Sequence, residues 1–400
     1  MSINQNIMKI FNRPIFILST LLFVFSPPAA GKTRHTIETG DLQTEEYLPL
    51  LRGGKVAVFS NPTGLAGNRH IVDLLVDSSV QVGAILAPEH GFRGIADAGE
   101  RVENSIDKGT GIKVISLYGG TKVPLADIVR PYDYVVIDIQ DVGLRYYTYY
   151  VTMIKLMNAC AEVGRTVVVL DRPNPNGFYV DGPILDMKYK SGVGALPIPV
   201  VHGMTLGELA LMANGEGWLK DGKKCRLKVV KCRNYSHHDK YVLPVKPSPN
   251  LPNMRAVYLY PSLCYFEATP VSVGRGTDMP FQVYGHPDMK GYPFSFTPMS
   301  VVGAKNPPQL GQKCYGRDLR QLSDRKIWRK GIDLSYLIDA YKAVGIGDKF
   351  FRSFMELLIG QRYVRDMIEQ GYSARQIKAC WRKDVIAFKH LRRPYLLYPE

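Results

Sequence analysis

From about residue 50 to 203 the chain repeats one theme: an apolar, β-rich run, a polar turn, then a helical pattern. The runs are 55–60 (KVAVFS), 80–86 (VQVGAIL), 113–117 (KVISL), 134–139 (YVVIDI), 166–170 (TVVVL) and 197–201 (PIPVV). Several are continuously apolar rather than alternating, as expected of parallel strands covered on both faces. Helical patterns occupy 69–78, 125–130 and 147–162. A further one at 205–218 follows the last run, with Thr205 as N-cap and Glu208 completing a capping box. Strand and helix in alternation predict an α/β fold, a doubly wound parallel sheet.

Composition shifts at 246–253 (KPSPNLPN), where three prolines and two asparagines mark a linker or a crossing segment. Beyond it, 271–274 and 281–284 read as short strands and 293–312 as a Pro-rich loop. Helices are expected at 334–344, 350–358 and 373–391, the last capped by Ser373. The expected organisation is an α/β domain over 40–250 and a smaller α+β domain over 251–400.

The first thirty residues read as an export signal. Lys9 and Arg13 form a basic start, 15–25 (IFILSTLLFVF) is an eleven-residue apolar stretch, and Pro28, Ala29 and Ala30 suit cleavage. As a helix that stretch rises only about 16 Å, short of a hydrocarbon core of about 30 Å. The mature chain is therefore expected to be exported, periplasmic in a Gram-negative source, with no stable membrane insertion. Cys160, Cys225, Cys232, Cys264, Cys314 and Cys380 match no metal or CxxC spacing, though an oxidising compartment would allow pairing. Lys and Arg number 51 against 36 Asp and Glu, a net charge of +15. The excess suits an anionic partner (nucleic acid, an anionic surface or an acidic polymer) or else a solvated basic face.

In an open parallel sheet, ligands bind where loops leave the carboxyl ends of the strands. Here those loops carry Asn61-Pro-Thr-Gly64, Glu89-His90-Gly-Phe-Arg93, Asp138-Ile-Gln140-Asp141 with Arg145 behind, Asp171-Arg172-Pro-Asn174, and His202. One such polar group has an easy turn reading; five in register point to a site. Phosphate-cradling, zinc-protease, nucleophile-elbow and EF-hand signatures are missing from the sequence, so no cofactor and no metal is expected. His237-His238-Asp239 reads as a solvated loop.

Carboxylate, amide, arginine and aromatic groups are the kit of a carbohydrate site. Glycosidic cleavage needs two carboxyl groups flanking the bond, one protonated and one ionised. Glu89, after an apolar run, suits the general acid. Glu267, in LCYFEAT, is the second candidate, and Arg275, between Gly274 and Gly276, offers a guanidinium, with Asp278 nearby. Those glycines would let the backbone approach a ligand. A helix-end salt bridge for Glu267 and a bulge contact for Arg275 are the structural alternatives.

PEHGFRG at 88–94, DIQDVG at 138–143 followed by RYYTY at 145–149, LDRPNP at 170–175, and FEAT at 266–269 with VGRGT at 273–277 resemble the exo-acting β-N-acetylmuramidases of peptidoglycan recycling. The match runs in order over nearly the whole mature chain, with Ala268 where glycine usually follows the second glutamate. The resemblance implies a Rossmann-like N-terminal domain, a smaller C-terminal domain and a cleft between them. It also implies release of terminal N-acetylmuramic acid from peptidoglycan fragments (MurNAc-GlcNAc), without nucleic acid. Muramic acid carries a lactyl carboxylate, which asks for a fixed cation: Arg275, Arg172 or Arg145, in that order. Asp138, Asp141 and Asp171 would orient the substrate, and His90 and His202 would bond sugar hydroxyls, with Arg93, Gln140, Asn174 and Asp278 as further contacts. A non-catalytic envelope sugar-binding protein and a hydrolase of another acidic wall sugar or amide bond are the alternatives.

Overall fold

The structure, a computed structural model, describes residues 36–88, 91–92, 104–117 and 123–400. The apolar segment at 15–25 lies outside them, and no helix of the described residues is long and apolar enough to cross a membrane. Ile37–Glu400 packs as one unit.

In chain order, α1 (Thr44–Leu51) leads into β1 (Lys55–Ser60), then the small ladder of β2 (Leu65–Ala66) and β3 (Arg69–His70), α2 (Ile71–Asp77) and β4 (Gln81–Ala87). Next come β5 (Ser105–Ile106), β6 (Lys113–Ser116), α3 (Leu125–Val129), β7 (Tyr134–Asp138), α4 (Tyr149–Val163), β8 (Thr166–Leu170), α5 (Leu206–Gly215) and β9 (Arg226–Val230). Seven of these strands form one sheet in the order β5-β6-β4-β1-β7-β8-β9. It is parallel except at β5, which pairs antiparallel with β6. The fold is α/β and doubly wound.

Successive side chains of a strand point to opposite faces, which explains the continuous apolar runs. Val56 and Val58 of β1 join Val136, Val168, Tyr47 and Leu75 in one buried layer under α1 and α2. Ala57 and Phe59 join Val135, Ile137, Val167 and Val169 in the other layer, against α3, α4 and α5. Neither face is wet, so neither face tolerates the polar alternation of a half-exposed strand.

The run at 197–201 is not a sheet strand. Pro197 and Pro199 cannot donate to a ladder, and the segment makes only single bridges from Val201 to Leu144 and Asp181. The place beside β8 goes to β9, which the expectation omitted. Thr205 and Glu208 form the expected capping box on α5.

The remainder begins with α6 (Met254–Leu263) and carries an antiparallel sheet, β10 (Val283–His286), β11 (Phe294–Phe296) and β12 (Cys314–Asp318), with β12 in the centre. Residues 271–274 make only a bridge from Ser272 to Gly285, and the Pro-rich loop contains β11. Helices α7 (Asp324–Lys330), α8 (Ser335–Val344), α9 (Phe354–Ile359), α10 (Tyr363–Glu369), α11 (Ala374–Cys380) and α12 (Arg382–Arg392) complete the chain. The helix expected over 373–391 is two, broken at Trp381; Ser373 is the N-cap as expected, and Gln376 completes a capping box with it. The apolar cluster that begins with Ala57 and Phe59 runs on through Leu263, Tyr284, Leu337 and Trp381, so both parts share one core. All six cysteines are free, five of them buried and Cys380 exposed.

Candidate active site

Strands β4, β1, β7 and β8 end at one edge, with Phe59 in register with Leu86 and Ser60 with Asp138. The first residues beyond them are tied down by short side-chain turns. The Asn61 Oδ1 accepts from the Thr63 backbone N at 2.9 Å, the Asp141 Oδ1 from Gly143 N at 2.7 Å, and the Asn174 Oδ1 from Asn176 N at 2.8 Å. Gln140 donates Nε2 to the carbonyls of Asp141 and Pro173, both at 2.8 Å, joining the β7 and β8 loops. Asn174 donates to Met204 O at 2.9 Å. Gln140 and Asn174 therefore build the edge and are buried in it.

Arg172 sits between two buried carboxylates. Its Nε donates to Asp138 Oδ1 at 2.7 Å, and its Nη2 donates to Asp138 Oδ2 and to Asp41 Oδ2, each at 3.0 Å. Asp41 and Asp138 are both 0% exposed. Burial pushes each carboxyl upward while the guanidinium holds it down, and the Asp138 charge pushes Asp41 further up. The two carboxylates together raise Arg172 despite its burial. An incoming carboxylate would meet two of its own kind here, so Arg172 is not a vacant cradle for a lactyl group.

Arg145 is likewise committed. Its Nη1 donates to the carbonyls of Pro183 and Ile198 at 2.7 and 2.8 Å, and its Nη2 to those of Leu358 and Ile359 at 3.1 and 2.7 Å. With no exposed surface it ties the sheet-edge loops to the end of α9 and does not face a ligand. Asp171 accepts from Thr205 Oγ1, Gly207 N and Tyr398 OH at 2.7, 2.9 and 2.6 Å, so it secures the start of α5 and the C-terminal segment. Burial raises it to about 6. Asp138, Asp141 and Asp171 thus have separate partner sets and do not converge. His202 is buried and held neutral, its pKa lowered to about 3 by burial and then by Arg392, Arg145 and His237. His237 is no solvated loop residue: it is 2% exposed and its Nε2 lies 3.0 Å from Glu208 Oε1.

Asp141 is different. Its Oδ2 is buried with no hydrogen-bond partner, and burial raises the carboxyl from 3.8 to about 7, against the pull of backbone N–H groups. From about pH 4 to 7 the folded chain holds a proton that the unfolded chain has released, so stability from this group falls as pH rises through 7. Asp141→Asn should flatten that fall. The expected result in thermal unfolding is a smaller difference between pH 5 and pH 8 for the variant than for the wild type. His202, which opposes the trend by favouring unfolding below its ordinary 6.5, is common to both and cancels. Equal slopes would mean that Asp141 is ionised throughout.

The second acidic candidate comes from the other part of the chain. Glu267 lies on the turn Cys264–Ala268 after α6. Its Oε1 accepts from Arg275 Nη2, and the Cys264 thiol approaches Oε2 at 3.6 Å. The Arg275 guanidinium lies 5.1 Å from the centre of the Phe281 ring, and its Nε is buried without a partner. Gly274 and Gly276 have φ of +79° and +81°, and a Cβ would fall 2.7 Å from Met279 O and 2.4 Å from Met299 O. The glycines are needed for close approach to the protein's own backbone, not to a ligand. Asp278 is exposed.

Of the predicted acidic residues among those described, Glu267 alone is neither sealed nor fully exposed: its side chain keeps 25% of its surface. Glu89, His90 and Arg93 lie outside the described residues. Asp41 was missed by sequence reasoning, since it precedes the first strand and meets Arg172 only in the folded chain.

A doubly wound sheet with a carboxylate-rich edge at its strands' carboxyl ends, joined through a shared core to an α+β part carrying a carboxylate–arginine pair, defines a protein of the α/β class. The chain belongs to the exo-β-N-acetylmuramidase NamZ family: residues 56–255 match its N-terminal part and residues 258–398 its C-terminal part. It is 34% identical, over 96% of this chain and 100% of the relative, to the peptidoglycan β-N-acetylmuramidase NamZ of Bacillus subtilis strain 168. Two crystal structures of DUF1343 family proteins from Bacteroides fragilis NCTC 9343 share the fold. One is 57% identical with a TM-score of 0.86, covering 91% of this chain and 99% of its own. The other is 29% identical with a TM-score of 0.77, covering 90% and 99%.

Proposed function

We propose that this chain is an exo-acting glycoside hydrolase that releases N-acetylmuramic acid from the non-reducing end of peptidoglycan glycan fragments. Membership of the family supports the activity, and the half-buried Glu267–Arg275 pair carries the assignment of the site. In this reading Glu89, two residues beyond β4, protonates the leaving glycosidic oxygen. Glu267, paired with Arg275, acts on the other side of the bond, toward water or the anomeric carbon. Arg275, whose side chain is 17% exposed, has guanidinium N–H groups beyond the one given to Glu267 for an anionic or hydroxyl group of the sugar. Export through the segment at 1–30, to a periplasm where such fragments arise, completes the reading.

The test is Glu89→Gln on two substrates. An aryl β-muramide has a good leaving group and hardly needs protonation, whereas a MurNAc-GlcNAc disaccharide does. A general acid predicts a loss of about 10²-fold or more on the disaccharide and a milder loss on the aryl substrate. Equal, complete loss on both reassigns Glu89 to the base or nucleophile. A wild-type protein that retains fragments without releasing muramic acid is a binding protein.

A further inference from the structure

The stretch 370–393 holds Arg375, Lys378, Arg382, Lys383, Lys389, Arg392 and Arg393 against a single acid, Asp384. It therefore carries six of the chain's fifteen net positive charges. Its helices, α11 and α12, border a cavity of about 540 Å³, closed on the other side by Asp181 and by Lys330 to Asp333 at the end of α7. None of the residues proposed for chemistry lines it. A volume of this size suits a small ligand or one substituent of a polymer.

The floor is fixed. Asp181 accepts from Trp381 Nε1 at 2.9 Å and Ile332 N at 3.0 Å, and its Oδ2 also takes Lys378 Nζ at 2.5 Å. Lys378 donates further to Lys330 O at 2.7 Å, and Lys330 pairs with Asp333 at 2.5 Å. Both lysines and both aspartates are thus spent on one another, and Ile332, Trp381 and Val385 supply apolar surface between them. At the rim stand Arg375 and Arg382, both exposed, and neither guanidinium makes a hydrogen bond or ion pair within the described residues. Two uncommitted guanidinium groups above a partly apolar floor match a short acidic peptide, whose carboxylates take arginine in bidentate fashion. A flat anionic membrane would engage the exposed Lys383 and Lys389 of α12, which do not line the cavity, and leave the cavity unused.

We propose that this cavity is a second, non-catalytic site for the carboxylate-bearing stem peptide of a peptidoglycan strand, which holds the protein on its polymer. The proposal rests on the function proposed above. The experiment is co-sedimentation of the full protein with insoluble peptidoglycan, comparing wild type with Arg375→Glu/Arg382→Glu. Lys383→Glu/Lys389→Glu makes the same charge change away from the cavity. The expected result is about a tenfold drop in retention for the arginine variant only, absent when the peptidoglycan has been stripped of its stem peptides. Aryl β-muramide turnover by the arginine variant should stay within about twofold of wild type, which shows that the variant is folded. Retention unchanged in the arginine variant overturns the site, and so does an equal drop in the lysine variant. Binding that follows the arginines on anionic phospholipid vesicles but not on peptidoglycan assigns the patch to a membrane and overturns it too. A wild type that sediments in the expected arginine-dependent way but releases no muramic acid would refute the hydrolytic reading and leave the binding site standing.

Discussion

Glu267→Gln is expected to lower kcat by about 10³-fold or more on both the aryl β-muramide and the disaccharide, within the span a positioned acid or base contributes. The equality is the informative part. A residue acting on the leaving oxygen is relieved by a good leaving group, whereas one acting on the anomeric side is needed whatever leaves. The amide is nearly isosteric, keeps an oxygen for Arg275 Nη2 and sits where the side chain is only half-buried, so folding should change little. Arg275→Met provides the companion measurement. It removes the ion pair and leaves Glu267 unheld, so kcat should fall by less than in Glu267→Gln, with KM rising if a spare guanidinium N–H contacts the sugar. Steady-state kinetics on the two substrates checks both expectations. A Glu267→Gln enzyme that loses activity on the disaccharide alone would exchange the roles given to Glu89 and Glu267.

What the sequence disclosed, and what it concealed, follows from where each constraint comes from. Strands β1, β4, β7 and β8 were legible because both faces are buried, leaving uninterrupted Val, Ile and Ala runs. Strand β9 was not, because it is a sheet edge whose Arg226 and Lys228 break the run. Residues 197–201 show the converse error, an apolar run whose prolines bar it from the ladder. The capping box of α5 and the Ser373 N-cap of α11 were readable because each cap residue lies just before its own helix. Arg145 illustrates the limit: an arginine beyond a strand end looks the same in sequence whether it faces a ligand or binds four carbonyls. The difference lies in Pro183, Ile198, Leu358 and Ile359, far off in the chain. Asp41 was concealed for the same reason, since only folding brings it to Arg172.

Arg172→Met should be the most damaging single change at the sheet edge, and its effect is on stability before activity. Methionine fills much the same space but leaves Asp41 and Asp138 facing each other, fully buried, with no cation. Removing one partner of a buried ion pair costs roughly 3–5 kcal/mol, a large share of the 5–15 kcal/mol that holds a typical domain folded. The expected outcome is loss of soluble protein at 37 °C or a urea midpoint displaced well below that of wild type. The pH dependence identifies the cause. Without the guanidinium, both carboxyls are pushed further above their unfolded values, so the folded variant binds protons that the unfolded chain has released. Its stability must then fall as pH rises, and the deficit against wild type should be smaller at pH 5 than at pH 8. Arg172→Met/Asp138→Asn supplies the control: with one charge removed, part of the lost stability should return, giving a coupling energy of the sign expected for direct neighbours. If the single variant loses under about 1 kcal/mol, or the double variant is simply the sum of its parts, then Arg172 is not neutralising the pair and remains available to bind an anionic sugar.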